Sequence, residues 1–316
     1  MSFRNIAVFF DGTGNDAENM DKLVEAPTNV LKLYNFIQGM GNGQLSLYKD
    51  GVGTRDNEKV LGNIGVMGLA ARILESYRWL SNSLSDDQWE KEQNKIFIFG
   101  FSRGAYTARK FSGFIDFCGI PVDPDDAELA WDIYTEQNVE KAKELKEEGR
   151  FYDIPIEVIG VWDTVKMTPD SRFNNRRLSS NVVKGYHAMA IDEKRSLFPV
   201  RKWTRNERVL QKWFAGVHSD IGGGYSISSL SNITLKWMIK CAHKHDLKFN
   251  ASINDFLRAE TPAPHNGDLH DSTWPFSPNK KRSMGKTELI DLSVKTRQEA
   301  LADYLPTNLP ENPIYS

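Results

Sequence analysis

Short apolar runs that end in glycine, aspartate or serine alternate along this chain with segments of helical pattern. Five such runs occupy residues 6–16, 45–54, 96–104, 156–164 and 213–224. Because each run is almost continuously hydrophobic, it is typical of a strand covered on both faces, as in a parallel sheet between helices. The alternation of strands and helices predicts a doubly wound α/β fold. The carboxyl ends of parallel strands share one edge of a sheet, so we expect the polar clusters to meet there.

The rest of the chain predicts one domain with two irregular parts. Its 316 residues, 40% of them hydrophobic, suffice for a large core. Residues 165–210 carry many charges and few strand signals, which indicates an insertion or a helical cap. The segment 250–316 is rich in loop formers. We therefore expect a single domain over residues 1–316, with a cap around 165–210 and a loop-rich C-terminal segment.

Charge and cysteine content narrow the classes of protein. The net charge is −2 and no long run of one sign occurs, so nothing indicates nucleic acid as a partner. Cys118 and Cys241 lie in unrelated contexts, which favours two buried thiols over a disulfide.

The N-terminal residues and the hydropathy predict a protein that is soluble as synthesised. Acidic residues precede any long apolar run at the N-terminus, unlike in a Sec signal peptide, and no segment approaches the ~20 consecutive apolar residues of a membrane span. We expect a cytoplasmic protein without a signal peptide. Delivery to another compartment would then need a secretion system that does not read a cleaved signal.

Ser102 lies in IFIFGFSRGAYTAR, residues 96–109, where a predicted strand runs into a G-x-S-x-G pentapeptide. A nucleophile elbow needs small residues around its serine because the backbone turns sharply, and Gly100, Gly104 and Ala105 meet that need. The pentapeptide alone arises often by chance, and the alternative is an ordinary serine in a glycine-rich loop. The strand before it and the helix after it are the context that the motif requires. This context favours a nucleophile.

An acid and a histidine follow this serine in the order Ser, Asp, His that α/β-hydrolases use. Asp163 ends the strand-like IEVIGVW, and His218 follows the strand-like WFAGV. In a triad, His218 would take the proton of Ser102, and Asp163 would orient the imidazole. Asp163 could instead cap a helix that begins at Thr164, and His218 could be a loop histidine beside three glycines.

Other residues compete for these roles. His187 and His270 are alternative bases, and His270 is the stronger competitor because it lies late in the chain. Asp220 is an alternative acid or a supporting group. His243 and His245 lie on a helix-like segment and are expected to be exposed.

An oxyanion hole in this fold takes one backbone N–H from the residue after the nucleophile, here Arg103, and another from a loop after an early strand. FFDGTGND supplies that loop, with Gly12 and Thr13 nearest the strand end. Its glycines could also indicate phosphate binding, but neither the P-loop pattern nor a full G-x-G-x-x-G is present. Nucleotide binding is therefore a weak alternative.

Four carboxylates could in principle bind a divalent cation. They are Asp11, Asp16, Asp50 and Asp220. Their spacing alone does not establish a metal site, so we expect neither a metal nor a cofactor.

Six segments in matching order resemble one known family. They are FFDGTGND, KDGVGT, GFSRGAYTAR, GVWDTV, the HAMAIDE segment and WFAGVHSDIGGGY. The chain is similar in these motifs to the catalytic domain of the type VI secretion lipase effectors of the first class, a domain also found in many uncharacterised bacterial and fungal proteins. The late segments LHDS and YLPTNLP resemble the closing motifs of the family, so the resemblance runs from about residue 4 to 310.

The resemblance implies an α/β-hydrolase fold and ester hydrolysis, with phospholipase activity in the characterised effectors. By motif, Ser102 would be the nucleophile, Asp163 the acid and His218 the base, although His270 also lies in a family-like motif. A lipid or membrane surface is the implied partner. An immunity or regulatory protein is a further candidate partner, whether the domain is an enzyme or a binding module. Antibacterial and anti-phage roles both fit such an enzyme.

The leading interpretation is a serine hydrolase that cleaves carboxylic esters of lipids, with a glycerophospholipid as the preferred substrate, through an acyl-enzyme. Phe173, Leu197 and Phe198 could contact the acyl chain or form a small core of the cap. One alternative is an esterase for small soluble substrates, because specificity in this fold depends on loops. Another is a non-catalytic binding module that retains the fold.

Overall fold

The computed structural model describes residues 4–13, 15, 20–21, 24–51, 64–85, 90, 93–165, 176–258, 266–272 and 278–316. Its centre is an eight-stranded sheet in which all the paired strands run parallel. These strands are β1 (Arg4–Phe10), β4 (Gln44–Lys49), β5 (Asn94–Phe101), β8 (Ile156–Trp162), β9 (Val182–Ala190), β10 (Val209–Phe214), β11 (Leu289–Ile290) and β12 (Ile314–Tyr315). Two short antiparallel pairs lie outside it: β2 (Met20–Asp21) with β3 (Val24–Glu25), and β6 (Ile120–Pro121) with β7 (Phe151–Tyr152).

Helices cover both faces of the sheet. The long ones are α1 (Asn29–Ile37), α2 (Ile64–Leu84), α3 (Ser102–Cys118), α4 (Ala127–Glu136), α5 (Val139–Glu147), α7 (Ser229–His243) and α9 (Leu292–Ala300). Two shorter helices are α6 (His218–Gly222) and α8 (Ser252–Arg258). A parallel sheet between helices confirms the predicted α/β-hydrolase-like fold class.

Strands buried on both faces explain the continuous hydrophobic runs. In β1, Ile6 and Val8 pack against α2 and α3, whereas Ala7 and Phe9 pack against α1 and α7. Alternate side chains of a strand point to opposite faces, so a strand between two helical layers has no polar face.

The order of the strands reverses between β1 and β5, the second and third strands from one edge of the sheet. From one edge to the other the order is β4, β1, β5, β8, β9, β10, β11, β12. The chain therefore leaves β1 toward one edge and continues from β5 toward the other. In open α/β sheets, ligands bind at the carboxyl ends of the strands next to such a reversal. Here those ends are the segments that follow Phe10 and Phe101.

The predicted cap over residues 165–210 needs correction. Residues 182–190 form β9, which pairs with β8 and β10 inside the sheet and is mostly buried. Lys184 and Gly185 interrupt its apolar pattern, which hid the strand. The C-terminal segment 250–316, expected to be loop-rich, also contributes α8, α9 and the two edge strands β11 and β12.

Two further predictions can be compared with the structure. Cys118 and Cys241 are buried free thiols, as predicted. Burial raises the pKa of each to about 12, which favours the thiol over the nucleophilic thiolate. Among the described helices, none is both long enough and apolar enough to cross a membrane.

Candidate active site

Ser102 sits on a strained turn between β5 and α3. Its backbone has φ of +59°, a left-handed conformation that is uncommon for residues other than glycine. Small neighbours make the turn possible, because an added Cβ at Gly100 would lie 2.6 Å from the carbonyl oxygen of Gly104. The side chain is 5% exposed. Strain of this kind is often found at functional sites, and the geometry is that of a nucleophile elbow.

Replacing Gly104 with alanine is expected to destabilise the protein by about 1 to 3 kcal/mol, the cost of overpacking a core. An added Cβ there would lie 2.3 Å from the carbonyl oxygens of Phe10 and Asp11. Gly113→Ala on the same helix is the control, since its nearest contact would be an ordinary 3.5 Å. Urea unfolding measures both variants. Equal stability of the two would contradict this account of the elbow.

Asp163 follows β8 directly, with a fully buried side chain and φ of +39°. Its backbone N–H donates to the Ala188 carbonyl at 2.7 Å, and its Oδ1 accepts the Ala190 N–H at 3.0 Å. Both partners belong to β9. The strand that the sequence did not predict therefore holds this carboxylate at the sheet edge.

His218 begins α6 and lies between the other two residues. Its Nδ1 is 2.6 Å from Asp163 Oδ2, and its Nε2 is 2.7 Å from Ser102 Oγ. A carboxylate can only accept, so Nδ1–H donates to Asp163, and Nε2 is left to accept the hydroxyl of Ser102. The rings of Phe101 and Phe198 pack against the imidazole at 4.7 and 5.1 Å.

The electrostatics of the pair favour an ionised acid beside a neutral imidazole. Burial would raise the pKa of Asp163, but the Arg282 guanidinium and the hydrogen bonds from His218 and Arg282 outweigh it and hold that pKa below its usual range. Burial lowers the pKa of His218, and Asp163 only partly opposes it. His218 is thus neutral at neutral pH, the form that can accept a proton.

The competing histidines His270 and His187 are hydrogen-bonded to groups other than Ser102. His270 donates from Nδ1 to Asp220 Oδ1 at 2.6 Å and stacks on Tyr225, so it makes no hydrogen bond to Ser102. His187 is buried, and its Nε2 accepts the Thr164 N–H at 3.1 Å. Burial, then Arg109, lowers its pKa to about 3, so it stays neutral. The geometry therefore favours His218 over both.

His243 and His245, at the end of α7 and just after it, differ in their exposure. His243 is exposed, as expected. His245 is only partly exposed and bridges Glu157 at 2.6 Å and the Tyr186 hydroxyl at 3.0 Å. The expectation of exposure is therefore wrong for His245.

The predicted oxyanion donors surround Ser102. Arg103 is the second residue of α3, and the first N–H groups of a helix have no partner within it. Gly12 packs against the serine, since an added Cβ would lie 3.2 Å from Ser102 Cβ. Its N–H donates to Asp11 Oδ1 at 2.6 Å. Thr13 Oγ1 is buried and has no hydrogen-bond partner among the described residues. The oxyanion hole stays a prediction.

The residues proposed as metal ligands or as contacts for an acyl chain have different outcomes. Within the described part of the chain, no group of three or more His, Cys, Asp or Glu side chains could hold a metal ion. Asp16 and Phe173 lie outside the described residues. Leu197 is 70% exposed next to the half-buried Phe198.

Two charged residues beside this site were missed by the sequence reasoning. Arg282 contacts both oxygens of Asp163, at 2.5 and 2.9 Å. Glu193 accepts the backbone N–H of His218 at 3.2 Å. Glu193 lies in the HAMAIDE segment, which contributes to the family resemblance but does not indicate a role for this carboxylate. Arg282 lies in a run of basic residues that indicates only an exposed loop.

The arrangement can carry out nucleophilic catalysis. A hydroxyl on a sharp turn, a neutral imidazole at 2.7 Å and a carboxylate behind it at 2.6 Å form one continuous chain of hydrogen bonds.

Comparison with known proteins identifies a family of phospholipase effectors. The family model for the catalytic domain of Tle1-like phospholipase effectors of the type VI secretion system (T6SS) matches residues 4–241. Ser102, Asp163 and His218 lie inside that range, whereas His270 and Arg282 lie beyond it.

Individual relatives are more distant. The uncharacterized protein YEL023C of Saccharomyces cerevisiae is 27% identical over 230 residues, which are 62% of this chain and 32% of the yeast protein. An uncharacterized protein from Pseudomonas aeruginosa is 19% identical, with 83% of this chain and 48% of that one covered and a TM-score of 0.49. The Tle1 effector bound to the VgrG spike is 21% identical, with coverages of 71% and 51% and a TM-score of 0.40. Esterase 2 of Thermogutta terrifontis is 12% identical, with coverages of 77% and 84% and a TM-score of 0.42. The match to this chain spans about one third of the length of the yeast protein.

Proposed function

Because the chain belongs to the family of Tle1-like phospholipase effector catalytic domains of the T6SS, we propose that it is a serine hydrolase that cleaves carboxylic esters of lipids. The observation that carries the proposal is the hydrogen-bonded series Ser102, His218 and Asp163, with distances of 2.7 and 2.6 Å. The family is one of hydrolases. The serine mechanism and the lipid substrate are our proposal for this chain.

In the first half-reaction Ser102 is acylated. His218 Nε2 takes the hydroxyl proton while Ser102 Oγ bonds to the ester carbonyl carbon. The oxyanion is held by the Arg103 N–H and by donors of the Gly12–Thr13 loop. The C–O bond to the alcohol then breaks, and the alkoxide takes the proton from His218. Asp163 stabilises the imidazolium that forms between these steps.

In the second half-reaction water releases the fatty acid. His218 accepts a proton from the water as its oxygen bonds to the acyl carbon. The bond to Ser102 Oγ breaks, and the same proton returns to the serine. Both half-reactions use the same groups, so the pH dependence of each follows the protonation of His218.

A lipid substrate is supported by the family and by the side chains at the mouth of the site. Phe198 contacts His218, and its neighbour Leu197 is the most exposed large apolar side chain of the described residues. Exposed apolar side chains next to a site often mark contact with a membrane or an apolar ligand. Phospholipids are the proposed substrates. Membership of a phospholipase effector family also supports a membrane surface as the target.

Replacing Leu197 with aspartate is expected to lower the hydrolysis of phospholipid vesicles by about tenfold, because the loss of an exposed leucine contact at roughly 1.5 kcal/mol is close to a factor of ten. Hydrolysis of a short soluble ester should stay within twofold of wild type. Fatty acid release from vesicles and p-nitrophenyl butyrate cleavage are measured side by side. Val139→Asp on α5, also exposed at 60%, is the control.

The same pair of assays tests the function itself. Release of fatty acid by the wild type supports the lipase. Cleavage of the short ester alone would replace it with an esterase for soluble substrates. Folded protein that cleaves neither would overturn the enzymatic proposal in favour of a binding module.

A further inference from the structure

Two buried ions of opposite charge flank the acid–base pair without taking part in proton transfer. Arg282 is 7% exposed and Glu193 is 1% exposed. Burying an ion is costly unless it is paired and hydrogen-bonded, so each must be compensated by specific partners. Their partners include Asp163 and His218.

Arg282 binds both carboxylate oxygens of Asp163, each through a different nitrogen. Nη1 donates to Oδ1 at 2.5 Å and Nη2 to Oδ2 at 2.9 Å. The same two nitrogens also donate to the carbonyls of Ala190 and Phe198. Bidentate pairing fixes the plane of a carboxylate as well as its position. Arg282 thereby determines how Asp163 faces His218.

The segment that carries Arg282 is itself attached to the residues that follow β9. Asn279 forms a bridge with Arg195, and the Lys280 N–H donates to the Lys194 carbonyl at 2.6 Å. Asn308 donates to the carbonyl of Arg282 at 3.1 Å. The guanidinium is therefore held from its backbone as well as from its nitrogens.

Glu193 acts on the other residue of the pair. One carboxylate oxygen accepts the His218 N–H at 3.2 Å, and the group also accepts from the backbone and side chain of Arg195 and from the Ser272 hydroxyl. The backbone of His218 is thus tied to Glu193 while its imidazole is tied to Asp163.

We propose that Arg282 and Glu193 are positioning residues of the site, Arg282 for the carboxylate of Asp163 and Glu193 for the backbone of His218, and that their charges act in opposite directions on the imidazole. This inference rests on the proposed function for its catalytic meaning. Neither residue touches the reacting atoms. Arg282 lies beyond the part of the chain that the family model matches.

The sign of each effect follows from Coulomb's law. A nearby cation disfavours the imidazolium and a nearby anion favours it. Burial lowers the pKa of His218 first, Asp163 then raises it, Arg282 lowers it, and Glu193 raises it. Asp220, on the same helix, faces Val217 and His270 instead. Removing Arg282 should therefore raise the pKa of His218, and removing Glu193 should lower it.

The test is a direct titration of His218 by NMR in protein labelled with ¹³C-histidine. The chain has only 6 histidines, so His218→Gln identifies the signal. We expect the midpoint to move up by about one pH unit in Arg282→Gln and down by a similar amount in Glu193→Gln. The Arg282→Gln variant is the more informative of the two. Its His218 midpoint is expected at higher pH, where acid unfolding does not interfere with the titration. An unchanged midpoint, or shifts of the same sign, would overturn the proposal.

Two further variants separate positioning from general structural support. Arg282→Lys keeps the charge, so its midpoint should stay near that of wild type, while kcat for an ester falls with KM unchanged because the bidentate geometry is lost. Arg297→Gln removes another buried arginine, which binds the Gly267 carbonyl, and should leave the midpoint in place. A shift in Arg297→Gln equal to that in Arg282→Gln would reduce the effect to general destabilisation. The titration needs no substrate. Absence of ester hydrolysis would therefore contradict the proposed function without contradicting the positioning roles.

Discussion

Replacing Ser102 with alanine should lower ester hydrolysis by a factor of about 10⁴ or more, the size of loss that follows removal of a triad nucleophile. The reason is that Ser102 Oγ is the only group at the elbow that the proposed mechanism lets bond to the acyl carbon. Its hydrogen bond to His218 at 2.7 Å would be lost, whereas the fold should remain. The measurement is kcat/KM for a short ester and for vesicles.

A matched control is available on the same helix. Ser112 is also buried, and its hydroxyl donates to the Arg109 carbonyl at 2.9 Å, away from His218. Ser112→Ala should keep most of the activity. A fluorophosphonate should label the wild type and Ser112→Ala but not Ser102→Ala, with circular dichroism confirming that all three are folded. Undiminished hydrolysis by Ser102→Ala would remove the serine from the mechanism.

The features of the candidate site that depend on short sequence segments could be predicted. The strand, the sharp turn and the helix around Ser102 are each indicated by neighbouring residues. Ser102 could therefore be predicted as a nucleophile between a strand and a helix. Asp163 and His218 could be predicted because each follows an apolar run that ends at the same edge of a parallel sheet. These three inferences depend on short segments and on one rule of topology.

The missed features depend on contacts between distant parts of the chain. In β9 the residues VVKGYHAMA include a lysine, a glycine and a histidine. Helices on both faces and partners on both sides make them a central strand, and short-range pattern does not reveal this. Arg282 is 119 residues from Asp163 in sequence. A basic residue in a loop-like segment is usually solvated, so its burial against a carboxylate could not be predicted from composition.

The oxyanion hole shows the same limit at shorter range. Position after a strand predicts that Gly12 lies beside Ser102, and it does. The preceding residue, however, also matters: the Asp11 carboxylate accepts the Gly12 N–H at 2.6 Å. Asp11 in turn accepts the hydroxyls of Thr28 and Tyr48. Whether an amide is free to bind an oxyanion is decided by this network and not by the glycine motif.

The two candidate bases, His218 and His270, should respond very differently to substitution. His218→Gln is expected to lower kcat/KM by about 10⁴-fold or more, because it removes the base that Ser102 contacts. His270→Gln should cost about tenfold at most. His270 donates to Asp220 and not to Ser102. One charge-assisted hydrogen bond of roughly 1.5 kcal/mol corresponds to about a factor of ten. Ester hydrolysis by the two purified variants measures the contrast.

The small effect expected at His270 follows from what Asp220 retains. With His270 removed, Asp220 Oδ2 still accepts the Val217 N–H at 3.0 Å, which holds the start of α6 and therefore His218. Burial raises the pKa of Asp220, so losing the hydrogen bond from His270 should raise it further and weaken activity first at acid pH. A His270→Gln variant as inactive as Ser102→Ala, beside an active His218→Gln, would transfer the base to His270. The hydrogen bonds of the site would then have to rearrange before catalysis, since Nε2 of His218 is the nitrogen that contacts Ser102.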